Sequence, residues 1–331
     1  MKRVINWAIL GPGKIAHKFA DAFRSVPDAK LYAIASRNAP RGKEFAGKFK
    51  VPRLYNTYEA LVADSEVDII YIATPHPFHY AQTLLCLNHK KAVLCEKPLT
   101  MSHKNASEMV ALARSMSTFL MEGMWSRFFP ATIKTLELIR AGVIGEIKFL
   151  RADFGFVAPY DPEGRVFNLK LGGGAQLDVG VYPMFLALLI LGKPEKIQGL
   201  SRRALTGADE TTSAQFFFKN GSIAHIVSSV VVDTPKQAEI IGTLGTIVMH
   251  TPWHKAQTIT VKMNSGETKP IDLPYSGLGF EFQLAHVTEC MQDGLKESSL
   301  LSHDLSLTMA ETADEILRQG GIVYPENNFS R

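Results

Sequence analysis

Residues 4–10 form a short apolar stretch that runs without a break into Gly11-Pro12-Gly13-Lys14-Ile15-Ala16, and then into a segment, 15–25, with Ile15, Phe19 and Phe23 on one helical face. A second apolar run, 31–36, follows. Strand, glycine turn, helix and strand in that order form a β-α-β unit. In such a unit the glycines permit a tight turn and a close backbone approach to a pyrophosphate. The helix N-terminus stabilises the pyrophosphate charge, and Ala16 lets the helix pack on the strand. Alone, the string describes an ordinary Gly-Pro turn. Its flanking elements make Gly11, Gly13, Lys14 and Ile15 the expected contacts of a dinucleotide cofactor.

The alternation persists through 39–49, 54–55, 58–62, 69–74, a helix near 80–87, a run at 92–95 and a helix near 102–115. Such a pattern predicts an α/β fold with a doubly wound, Rossmann-type parallel sheet covered on both faces. After about Gly123 the pattern changes. One helix, 131–141, precedes β-rich runs at 148–157, 197–203, 213–218, 223–232, 238–242, 246–250 and 258–262, with turns such as Asn220-Gly221. These predict a C-terminal α+β domain with a mostly antiparallel, open-faced sheet. The tail returns to helix, with Ser302 as N-cap, Leu305, Met309 and Ile316 on one face, and Gly320-Gly321 as the stop.

At 331 residues and 46% apolar composition the chain is expected to form two domains: residues 1–122 for dinucleotide binding, and 123–331 for substrate binding and dimerisation. The net charge of +4 is small, and the cations are scattered rather than gathered into a phosphate-tracking run, which argues against nucleic acid. Cys86, Cys95 and Cys290 cannot all pair, and none sits in a C-x-x-C, so a reducing cytoplasm fits best. The apolar start ends too early at Gly11 for a signal peptide, and no run is expected to reach the roughly 20 residues that span a bilayer.

At the end of the second strand an NAD site would place Asp or Glu against the ribose 2′-hydroxyl. Here the chain has Ser36-Arg37, with Arg41 nearby. A hydroxyl and two guanidinium groups suit a 2′-phosphate, so NADP(H) is preferred over NAD(H); alternatively Arg37 stacks on the adenine or is simply solvated.

Two further strands end in chemistry-bearing residues, one in Thr74-Pro75-His76-Pro77-Phe78-His79 and the next in Glu96-Lys97-Pro98. Both open onto the carboxyl edge of the sheet, where ligands bind. His76-x-x-His79 has no third ligand beside it, so no metal is expected. Together with the opening glycine turn and Gly172-Gly173-Gly174-Ala175-Gln176-Leu177-Asp178-Val179-Gly180-Val181-Tyr182, these residues resemble the glucose-fructose oxidoreductase, inositol dehydrogenase and rhizopine-catabolism (Gfo/Idh/MocA) family over nearly the whole chain. The resemblance implies that Lys97 hydrogen-bonds the substrate oxygen, that Glu96 and Pro98 shape the nicotinamide site, and that Thr74, Pro75, His76 and His79 line the cofactor. A desolvated lysine near a positive nicotinamide can donate to an oxygen whose charge changes in the reaction. Plain readings stand beside these: a Lys97–Glu96 surface ion pair, and loop packing for the histidines.

Many family members carry histidine where this chain has Tyr182. Tyrosine there, and the stretch 120–130, resemble the dimeric trans-dihydrodiol dehydrogenases, which also act as NADP-dependent D-xylose dehydrogenases. The resemblance implies a homodimer and a cyclic diol or aldose substrate. Tyr182 is then the general acid/base, with its reference pKa near 10 lowered by adjacent positive charge. Asp178, four residues earlier, would orient the substrate hydroxyl or Lys97, or else cap the helix. Trp125, Phe154, Trp253 and Phe280 match positions that line an apolar substrate pocket in those enzymes, and Arg127 is expected on the same wall; core packing explains each at least equally well. Two rival functions keep the fold: an NADPH-dependent keto-sugar or anhydro-sugar reductase, and a non-catalytic dinucleotide sensor, against which the lysine tripeptide counts.

Overall fold

Runs of Val, Ile, Leu and Ala short enough to be single strands, each followed by a helical segment, pair into one parallel sheet. The computed structural model describes residues 3–325. The strands are β1 (Ile5–Leu10), β2 (Ala29–Ala35), β3 (Arg53–Tyr55), β4 (Ile69–Ile72), β5 (Ala92–Glu96) and β6 (Leu120–Gly123), in the order β3-β2-β1-β4-β5-β6. Between them run α1 (Lys14–Ala22), α2 (Ala39–Phe49), α3 (Tyr58–Val62), α4 (His79–Asn88) and α5 (His103–Ser115). The order reverses beside β1, whose neighbours are β2 and β4. A crevice at the carboxyl ends of β1 and β4 follows from that reversal.

All four residues of β4 are buried, as a sheet covered on both faces requires. Trp7 packs its indole against Phe19 and Phe23, and Phe19 stacks on Tyr71 with ring centroids 3.9 Å apart. Trp7, Phe19 and Tyr71 are fully buried, and each ring contributes roughly 2–3 kcal/mol. The Trp7 indole N–H donates to Thr288 Oγ1 at 3.2 Å, on α8 (Phe280–Gln292). That helix, with its neighbours Ser276–Leu307, belongs to the first compact unit together with the chain up to Trp125. The sequence-based division after residue 122 therefore differs from the units in two ways. The chain break between units lies at Trp125/Ser126, and 276–307 returns to the first sheet because Phe280, Leu284 and Val287 bury there.

Among the described residues, the second unit holds Ser126–Tyr275 and 308–325. Its strands are β7 (Ile147–Gly155), β8 (Lys196–Arg203), β9 (Asp209–Phe217), β10 (Ile223–Ser229), β11 (Ala238–Gly242), β12 (Gly245–Met249), β13 (Thr258–Met263) and β14 (Thr268–Asp272). They form one sheet in the order β14-β13-β12-β11-β7-β10-β9-β8, antiparallel except for the β7–β10 pair. Two helices here are α6 (Pro130–Arg140) and α7 (Val181–Leu191); α9 (His303–Gln319) begins in the first unit and ends in the second.

The expected caps of α9 form: the Ser302 hydroxyl accepts from Leu305 N–H at 3.2 Å, and Gly321, at φ +67°, closes the helix while Ile322 N–H donates to Leu317 O at 2.9 Å.

Contrary to the expectation that no apolar run nears 20 residues, the helical stretch Leu169–Leu191 has a mean hydropathy of 1.6 over 18 residues. It is 83% buried inside the protein, as the core helix of a two-layer domain is.

Candidate active site

The turn after β1 is built as the sequence implies. Gly11 lies at φ +94°, where side-chain-bearing residues are strained, and a Cβ there would stand 2.8 Å from Thr74 Cγ2. Gly13 is the N-cap of α1; no side chain caps this helix and no acid sits in its first turn. Its N-terminal N–H groups therefore face a site that suits an anion, with Gly13 and Lys14 exposed and Ile15 half-buried. Ala16 is fully buried, as close helix–strand packing demands. These residues fit a pyrophosphate.

At the end of β2, the Ser36 hydroxyl donates to Asn38 O at 2.8 Å and accepts from Asn38 N–H, so it closes the local turn. Arg37 is held over the rings of Tyr58 and Phe78, 5.5 Å from each centroid. The ring faces fix its guanidinium by cation–π attraction. Arg41 lies in the first turn of α2, its N–H accepted by the Asn38 cap, with its side chain exposed.

After β4, Thr74 donates its hydroxyl to Gln82 at 2.6 Å, Pro75 opens a 3-10 turn, and His76 is buried edge-on to the His79 ring. His79 is packed between loops, the plainer of the two readings its sequence position allows. It is 0% exposed, and its ring nitrogens lie 2.8 Å from Pro98 O and 2.8 Å from Thr74 O. It ties the loop after β4 to the loop after β5. Burial holds its pKa below the ordinary histidine value. Among the described residues no cluster of three or more His, Cys, Asp or Glu is placed to hold a metal ion.

β5 ends in half-buried Glu96 and Lys97. Tyr71 donates its hydroxyl to Glu96, whose carboxyl is pushed up by burial. That bond occupies one Glu96 oxygen, and both the bond and the Lys97 charge beside it act against the effect of burial. The sequence reading missed Glu122 on β6. Buried, it accepts the Leu99 N–H at 2.8 Å and so holds the far side of the Lys97-Pro98-Leu99 loop. Trp125 and Phe280 stack at 4.6 Å with planes 8° apart, both within the first unit.

In the second unit the triple glycine explains itself by close approaches. A Cβ on Gly173 would stand 2.7 Å from the carbonyl oxygens of Arg165 and Val166, and one on Gly174 2.1 Å from Asp209 Oδ1. The chain then makes a π-helical turn, Gln176–Gly180, and enters α7 with Tyr182 in its first turn. π-Helical turns recur at functional sites. Asp178 is buried and accepts both arms of Arg165, at 2.9 and 3.1 Å. The sequence reading did not find Arg165.

Tyr182 is 7% exposed; its ring centroid lies 5.4 Å from that of Phe154 and 5.6 Å from that of His254, which itself stacks on Phe154 at 4.3 Å. His254, also missed, takes the place expected of its neighbour. Trp253 is 1% exposed and donates its indole N–H to Asp153 O at 2.8 Å, which is the core-packing alternative its sequence position left open. Arg127 is buried too, its pKa lowered by desolvation and then by Arg140.

Beneath the glycine turn, Asp209 Oδ2 accepts from Gln176 N–H at 2.7 Å and from the Thr212 hydroxyl at 2.8 Å. Full burial nevertheless pushes its pKa up to about 6 from an ordinary 3.8. The folded state therefore holds a proton that the unfolded chain has released above about pH 4. Stability from this group is complete below about pH 4 and is lost as pH rises through about 6, by about 3 kcal/mol. In urea unfolding between pH 4 and 7 the wild type should lose about 3 kcal/mol more stability than Asp209→Asn; parallel pH curves would contradict it.

A Rossmann sheet with an anion-binding glycine turn and a lysine at a strand end, joined to a sheet domain carrying a buried tyrosine, defines a nucleotide-dependent oxidoreductase. Residues 5–124 match the oxidoreductase family with NAD-binding Rossmann fold, and 132–248 match the GFO/IDH/MocA C-terminal domain. The chain belongs to the Gfo/Idh/MocA oxidoreductase family, and it is an NAD(P)-dependent dehydrogenase. It is 38% identical to trans-1,2-dihydrobenzene-1,2-diol dehydrogenase of Danio rerio, over 98% of this chain and 99% of that protein. Its fold matches the aldose-aldose oxidoreductase of Caulobacter crescentus, with a TM-score of 0.88 at 24% identity over 96% and 98% of the two chains. It also matches the 3-ketoreductase KijD10 of Actinomadura kijaniata, solved with NADP and TDP-benzene, with a TM-score of 0.86 at 25% identity over 96% and 97%.

Proposed function

We propose that the protein is an NADP(H)-dependent oxidoreductase that transfers a hydride between the cofactor and a secondary alcohol of a cyclic diol or an aldose. The observation that carries the reading is Lys97, half-buried at the carboxyl end of β5 in the sheet whose glycine turn suits a pyrophosphate, in a chain 38% identical to a dihydrodiol dehydrogenase. Gly11, Gly13, Lys14 and Ile15 hold the pyrophosphate, Thr74, Pro75 and His76 border the cofactor, and Arg37 with Arg41 takes the 2′-phosphate. Bound there, the nicotinamide supplies the carbon that accepts or gives the hydride. Lys97 donates a hydrogen bond to the reacting oxygen, and Tyr182 carries its proton. Trp125 and Phe280 stack within the first unit and Phe154 and His254 within the second, and stacked rings of either kind suit an apolar or cyclic substrate. Reduction of a keto sugar uses the same groups in reverse, and the likeness to a 3-ketoreductase favours it as the second reading.

The protein works as a homodimer in the cytoplasm. Support comes from Cys86, Cys95 and Cys290, all free and buried, and from a row of half-buried apolar side chains, Ile241, Phe149, Ile223 and Phe217, paired across β11, β7, β10 and β9.

Absorbance at 340 nm, followed with NADP and with NAD against a trans-cyclic diol and D-xylose, tests the reading. Turnover is expected with NADP, and Arg37→Gln should raise the KM for NADP about tenfold while leaving that for NAD unchanged. Faster turnover with NAD, or an Arg37 variant that weakens both alike, would overturn the cofactor assignment.

A further inference from the structure

Arg165 sits on the segment between β7 and the triple glycine, and the glycines bring it in: Gly174 N–H donates to Val166 O and Gly173 N–H to Asn168 O, each at 2.9 Å. Both of its terminal nitrogens bond the two Asp178 oxygens, a fork-on-fork geometry that fixes the guanidinium plane. Asp178 stands four residues before Tyr182, about one helical turn. The Asp178 side chain is 9% exposed and that of Arg165 47%, so the pair is a half-open cation on a buried anion.

From this geometry we propose that Arg165 is a positioning residue which, through its forked bond to Asp178, holds a fixed positive charge beside the Tyr182 phenol and sets the pH at which Tyr182 gives up its proton. The proposal rests on Tyr182 carrying the substrate proton.

Two other titratable groups of the second unit lie near Tyr182 or Asp178. His254 lies 5.6 Å away, centroid to centroid, and the Tyr324 phenol, hydrogen-bonded to Gly173 O at 2.9 Å, is close enough to Asp209 and Asp178 to feel both carboxylates. Burial raises the Tyr324 pKa, and the two anions raise it further, which makes Tyr324 a poor rival proton carrier. Burial works against the charge on Arg165, yet Asp178 and then Tyr182 raise its pKa overall. An arginine stays charged across the working pH range, so its effect on a neighbouring phenol is constant.

The pair makes a signed prediction, because its members act on Tyr182 in opposite senses. Arg165→Gln removes the cation and leaves the Asp178 anion; the Tyr182 phenol should then titrate about one pH unit higher. Asp178→Asn leaves the cation unopposed and should move it down by a similar amount. Arg165→Lys keeps the charge and should restore most of the wild-type value. The readout is the tyrosinate ultraviolet difference spectrum of each variant, taken against the same variant carrying Tyr182→Phe, which needs no substrate. Thermal melts show which variants fold, and where Arg165→Gln does not, the Asp178→Asn shift decides. Shifts of the same sign in both variants, or none in any folded variant, overturn the proposal. If instead Tyr182→Phe turns over like wild type, the acid/base assignment fails while the titrations still report whether Arg165 governs the phenol.

Discussion

Lys97→Met is expected to lower kcat/KM by about 10²–10³-fold while dinucleotide affinity stays within about threefold of wild type. The lysine is half-buried at the strand end, and the acid beside it is engaged by Tyr71. A preorganised charged donor in a water-poor site acts far more strongly on developing charge than the same group in bulk water. Methionine keeps the length and packing of the side chain and removes the donor. Steady-state rates with NADP and a cyclic diol, alongside fluorescence titration of NADPH, separate the two effects. A variant that loses affinity and rate together would assign Lys97 to cofactor binding instead.

Gly11→Val should abolish measurable dinucleotide affinity, a loss of at least about 100-fold, and lower the melting temperature as well. Two costs combine. A β-branched residue at φ +94° costs about 1–3 kcal/mol of backbone strain, and its Cβ would press on Thr74 Cγ2 at 2.8 Å. Relief by shifting the turn would misdirect the α1 N–H groups. Gly13→Ala is the internal control. Gly13 lies at φ −77°, and an added Cβ would stand 3.4 Å from Ala73 O, so the turn should survive and affinity fall by about tenfold or less. Equal losses in the two variants would show that crowding of the ligand, not the shape of the turn, is what matters.

Much of the fold was legible because its signals are local. The short apolar runs and 3.6-residue periods of 4–115 reappear as β1 to α5, and the Gly321 stop is where the helix ends. Two of the elements that escaped had weak local signals. β14 carries Pro270 and is mostly exposed, which argues against a strand anywhere except at a sheet edge, where it lies. In α8 the sequence FEFQLAHVTECMQ mixes aromatic and β-branched residues of modest helix propensity, and its stability comes from packing on the first sheet.

The site divides the same way. The glycine turn, the absence of an acid after β2, the lysine at the end of β5 and the tyrosine after the triple glycine are fixed by strand ends and turns, and those are written in neighbouring residues. Which way a side chain faces, and what it meets, depends on residues distant along the chain. Arg165 reaches Asp178 across 13 positions, His79 reaches Pro98 across 19, and Trp253 reaches Asp153 across 100. Hence Trp253 turned into the core while His254 took the ring cluster, and His79 became a clamp between loops. Periodicity specifies a face, but only packing in three dimensions selects the partner, because burial and hydrogen-bond satisfaction are settled between elements rather than within them.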